Sequence, residues 1–135
     1  MKLEEHEVPG WVRYRDTPWT PPDVADEVAL ATGIAHESWM QDWPIEAAHT
    51  ACLEQVLELA EKETRPDHLA AFLTILLCRL DDDLTQGEQP DEATTRRITA
   101  ALSRYPEVTF YWMDSLEDGE ENAFSVAVWL SKNLK

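Results

Sequence analysis

The chain has 135 residues, 44% of them hydrophobic and six of them tryptophan, and its 27 acids against 11 bases give a formal charge of −16. That length matches one ordinary domain with enough apolar content for one core, which excludes a largely disordered chain. The charge disfavours nucleic-acid backbones and anionic membrane surfaces, both of them polyanions, and favours a basic protein as partner.

The start, MKLEEHEVPGW, lacks the apolar core of a signal peptide. No later run reaches the roughly 18 apolar residues of a bilayer span, so a cytoplasmic protein is expected. Cys52 and Cys78 lie in apolar, helix-forming surroundings outside any C-x-x-C motif. Two buried free thiols are expected, and no disulfide framework or zinc knuckle.

Residues 1–21 read as an extended arm, because Pro9, Gly10, Pro18 and Pro21 interrupt any long helix. Its Trp11, Tyr14 and Trp19 are expected to lie on the body of the domain, which spans 22–135. The spacing predicts a short helix from about Pro22 to Thr32, with proline and acids in its first turn and Gly33 at its end. HESWMQDW then sets Trp39 and Trp43 four apart, able to share one helical face before Pro44.

Over residues 45–62 a firm helix is predicted, with Ile45, Ala48, Cys52, Val56 and Leu59 as its apolar stripe. TRPDHLAAFLTILLCRLDDD follows, capped by Thr64 or Asp67, and the breadth of its apolar face (Leu69, Phe72, Leu73, Leu76, Leu80) marks the central helix of the fold. The short break between the two favours an antiparallel hairpin. TQGEQP is a loop, and residues 91–105 resume as a helix whose stripe is Ile98, Ala101, Leu102 and Tyr105. Pro106 ends that helix, and EVTFYWM reads as a turn or irregular segment, since a lone strand finds no partner here. A closing helix carries Phe124, Ala127, Val128 and Trp129 on one face. The expected fold is an all-α bundle of about five helices behind a Pro/Trp-rich arm.

Catalytic motifs are missing: there is no Ser, His and Asp arrangement, no Gly-rich phosphate loop and no H-E-x-x-H. Enzymatic activity and cofactors are therefore not expected. Three carboxylate patterns bear on metal chemistry. Glu46-Ala-Ala-His49 has the Glu-x-x-His form of di-iron bundles but no second copy. Asp81, Asp83, Thr85 and Glu92 fall at the first, third, fifth and twelfth positions of a calcium loop, with Gln86 where the bend needs glycine. Glu58 and Glu61 with Glu88 and Asp91 form an ExxE and an ExxD, which resembles the MazG-like nucleotide pyrophosphohydrolases. That resemblance implies four carboxylates holding magnesium, although the second pair falls in a loop and not in a helix.

What remains is where the acids lie. Ten fall between Arg15 and Lys62 with no base among them, six between Leu80 and Ala93, and six between Tyr105 and Ser131. In TFYWMDSLEDGEEN four consecutive apolar residues precede five acids, the combination of an apolar anchor with a charged rim. Phe110 is expected in the core, with one of Tyr111 and Trp112 at the rim. Small, acidic, motif-poor domains with tryptophan-rich patches resemble, as a class, the immunity proteins that bacteria keep beside secreted antibacterial toxins. The resemblance implies a protein partner, a basic toxin domain, met by Trp112, Asp114, Glu117, Asp118, Glu120 and Glu121, with Trp39, Asp42 and Trp43 as a second patch. An adaptor or regulatory subunit would share the same surface logic.

Overall fold

Ten consecutive residues, Leu69 to Cys78, are all buried, so the helix that carries them is surrounded and not laid on a surface. A computed structural model describes residues 22–33 and 52–134. The expected arm over 1–21, the Trp39–Trp43 segment and the first part of the helix expected over 45–62 lie outside the described residues. Among the described residues there is no strand, and the architecture is an all-α bundle of five helices: α1 (Pro22–Thr32), α2 (Leu53–Lys62), α3 (Pro66–Thr85), α4 (Glu92–Ser103) and α5 (Ser125–Asn133). None of them is long and apolar enough to cross a membrane.

The central helix is α3, as its apolar breadth predicts. It packs most extensively on α2, from which only Glu63, Thr64 and Arg65 separate it, and then on α1 and α5. Burying each of its leucines contributes roughly 1.5–3 kcal/mol relative to leaving the side chain in water. Ile98, Ala101, Leu102 and Tyr105 of the α4 stripe are all buried, as expected. On α2 the buried residues are Val56, Leu57 and Ala60, whereas Leu59 is half-buried and Cys52 is exposed. The expectation of two buried thiols therefore holds for Cys78 alone. Cys52 is the residue before the first turn of α2, where its extended backbone turns the side chain away from the packed face.

Helix ends are closed largely by groups from other elements. Neither Thr64 nor Asp67 caps α3. Arg65 holds the cap position, and the Glu63 carboxylate accepts from the Thr64 and Arg65 amides at 3.0 and 3.2 Å. Arg104, just past α4, donates to the Ala60, Glu61 and Glu63 carbonyls at 3.0, 3.2 and 2.5 Å, covering the C-terminus of α2. Arg97 binds Glu54 at 2.6 Å and Glu61 at 2.7 and 3.1 Å, two acids two turns apart on one face of α2. Glu27 of α1 meets both Arg65, at 3.3 Å, and His68. Asp91 caps α4, its carboxylate accepting from Thr94 N–H at 2.7 Å.

α5 has Phe124 at its cap position and takes its acceptor from α3. Asp81 Oδ1 accepts from Val126 N–H at 3.0 Å, and the Thr85 and Ser125 hydroxyls meet at 3.1 Å. At the far end of the described chain, Gly33 closes α1 with φ of 75° and its amide donating to Ala29 O at 2.8 Å, a conformation that favours glycine.

Candidate interaction surface

The connector between α4 and α5 is built from short turns: Pro106–Thr109, Phe110–Met113, Asp114–Asp118 and Glu120–Asn122, the second α and the others 3₁₀. Proline at 106 prevents α4 from continuing, and Gly119 at φ 94° redirects the chain between the last two turns. This agrees with the turn read from EVTFYWM. The aromatic roles, however, are exchanged. Trp112 is 4% exposed and Phe110 is 45% exposed, the reverse of an inward Phe110 with Trp112 at the rim.

The cause is helical phase. In one α-turn, residues two apart point to nearly opposite sides, so only one of Phe110 and Trp112 can face the core. Val108 and Thr109 already point inward, and Trp112 joins them. Its ring meets Phe124 edge-on at 5.0 Å with a 70° interplanar angle. Ser115 fixes this pairing, donating to Trp112 O at 2.6 Å while its hydroxyl accepts from Phe124 N–H at 3.2 Å. Phe124, expected inside the closing stripe, is in consequence 38% exposed at the edge. The Trp112 anchor proposed from the sequence is thus a core residue.

Phe110 and Asp114 are four apart in right-handed helical backbone and share one side. Asp114, Glu117, Glu120 and Glu121 are all exposed. No ion pair among the described residues involves any of the four. The Asp118 and Tyr111 side chains lie outside the described residues, as do Trp39, Asp42 and Trp43. Arg65, Arg79, Arg96 and Arg97 are by contrast all paired with acids, and Arg104 is spent on carbonyls.

Beside this rim an open cleft of about 460 Å³ lies between the Glu120–Asn122 turn and α5. Leu84, Val128 and Trp129 give it apolar walls, and Glu120, Glu121 and Lys132 give it charge. Sequence reasoning missed it, because Leu84 and Trp129 come from helices that only the fold brings together. The nearest signal was the step from the acids at 117–121 to an amphipathic helix ending in Lys132.

Most carboxylates of the calcium-loop and pyrophosphohydrolase-like patterns are engaged elsewhere in the fold. Asp81, Asp83 and Thr85 belong to α3 itself: Asp81 caps α5, Asp83 pairs with Arg79 at 3.2 Å, and Thr85 meets Ser125. Glu92 pairs with Arg96 one turn on. Of the pyrophosphohydrolase-like set, Glu61 is held by Arg97, which lowers its carboxyl below the usual range, and Asp91 is a helix cap. Among the described residues no three His, Cys, Asp or Glu side chains group so as to hold a metal ion. Glu46 and His49 lie outside the described residues.

No protein-family model, no curated protein and no solved structure matches the chain.

Proposed function

We propose that the chain is a protein-binding module of the immunity type, neutralising a basic antibacterial toxin domain through the acidic surface of residues 107–121. One observation supports the reading above all: the described arginines are engaged within the fold, while Asp114, Glu117, Glu120 and Glu121 are exposed and have no basic partner among the described residues. Charge retained in this way, in a chain of net −16, steers a basic partner and sets its orientation. Phe110 replaces Trp112 as the exposed ring beside those acids, offering apolar area within a charged rim.

The test is co-purification. The tagged protein is expressed with its neighbouring genes, and whatever stays bound at moderate salt is identified by mass spectrometry. A basic toxin domain in near-equal amount is the expected result, and recovery of the protein alone overturns the reading. With that partner in hand, Glu117→Lys combined with Glu121→Lys slows association roughly tenfold or more at low salt, and added salt closes the gap.

A further inference from the structure

The cleft between the Glu120–Asn122 turn and α5 combines three features: apolar walls, two adjacent acids and donors that have no acceptor among the described residues. We infer that it receives a basic segment of the protein partner. The head of a lysine or arginine meets Glu120 and Glu121, and its aliphatic stem lies along Leu84, Val128 and Trp129. The inference rests on the binding role proposed above and names the point of entry.

Charge complementarity decides the occupant. Glu120 and Glu121 have no basic partner among the described residues even though Lys132 lines the same cleft, so both carboxylates are available to an incoming cation. A purely apolar side chain would cover the Leu84 and Trp129 walls but leave two carboxylates stripped of water, which is costly. An acid would be repelled. A long basic side chain satisfies both parts, because its methylenes bury on apolar surface while its head keeps polar contact. Lys132 and Gln89 add donors suited to backbone carbonyls, which favours a peptide segment over an isolated cation. The α5 wall is held in place by Asp81 and Thr85 from α3, so little ordering is needed on binding.

The experiment uses the full chain, ¹⁵N-labelled, titrated with a short capped peptide carrying one arginine between leucines and with its citrulline counterpart, which keeps the shape and removes the charge. Saturable shifts at the Trp129 indole N–H and the Ser125, Val128 and Lys132 amides are expected. Binding should weaken roughly tenfold for the citrulline peptide and for a Glu120→Gln, Glu121→Gln variant. Equal binding of both peptides, or shifts that spread over the Phe110–Glu117 side without saturating, overturns the cleft as the entry point. The two proposals also fail separately. If the co-purified partner is captured equally well by the Gln variant but poorly after Asp114→Lys with Glu117→Lys, the cleft falls and neutralisation stands. If the peptide binds as expected and no basic toxin domain co-purifies, the cleft stands and the immunity role falls.

Discussion

The α2–α4 side of the molecule and the connector between α4 and α5 treat acidic residues in opposite ways. On the first, Glu54, Glu61 and Glu63 are each bound by an arginine, and those contacts tie helix to helix and close the α2–α3 turn. On the second, Asp114, Glu117, Glu120 and Glu121 meet no arginine among the described residues, and the turns that carry them are held by Trp112, Ser115 and Phe124. Removing an acid should therefore cost stability on one side and only recognition on the other. The same charge is structural where an arginine crosses to meet it and available where none does.

The comparison breaks most sharply at the core. Leu76→Ala, at a fully buried position of α3, should lose about 2–5 kcal/mol in urea unfolding, because a cavity is left in the core formed by the central helix. Phe110→Ala on the connector should stay within about 1 kcal/mol, its ring being half in water already. Equal losses would mean that Phe110 is part of the core after all. Next comes Arg104→Ala, which removes a donor from three carbonyls at the end of α2, the Ala60 carbonyl keeping the Glu63 amide, and should cost about 1–3 kcal/mol. Arg104→Lys should recover only part of this, since an ammonium does not reproduce the planar fork of the guanidinium.

Two carboxylates at helix ends respond to pH with opposite sign. The Arg65 guanidinium, with help from two backbone amides, holds the Glu63 carboxyl down at about 2. Its folded value lies below its unfolded one, so its contribution is present above the usual carboxylate range and is lost as pH falls towards about 2. Burial instead raises the Asp81 carboxyl, only partly opposed by the Val126 amide. The native state then binds the extra proton, and stability declines as pH rises through and just above the usual aspartate range. Urea midpoints across the acid range should show Glu63→Gln losing most of its deficit as the pH approaches 2. Asp81→Asn keeps an acceptor for α5 and should remove the decline on the other side. Profiles bent in the same direction would undo the contrast.

Much of the bundle was legible from the sequence because its helices announce themselves. The unbroken apolar run of α3 and the stripe Ile98, Ala101, Leu102 and Tyr105 are local signals, and each is found where it was read. Cys52 was misplaced because a stripe projected along 45–62 takes no account of an extended residue just before α2 begins. Phe110 and Trp112 were exchanged for a related reason: four consecutive apolar residues carry no periodicity, so their phase is set by Pro106 before them and by the Phe124 ring that Trp112 meets. The cross-helix caps from Arg104 and Asp81 join residues more than 40 apart and leave no local trace. The cleft shares that origin.

The smallest effect on stability is the most informative about recognition. Reversing Glu117 and Glu121 to lysine removes no hydrogen bond or ion pair among the described residues, and it relieves repulsion within a surface that already holds an excess of acids. Its effect on the unfolding midpoint should lie within about 0.5 kcal/mol and be stabilising if anything. The same change on the α2 side, at Glu61, places a lysine against Arg97 and should lower the midpoint. Measured together in low and moderate salt, the two variants give a direct reading of the contrast. A connector variant that loses as much as the α2 variant would show that its acids hold the fold, and the surface would no longer be free to serve a partner.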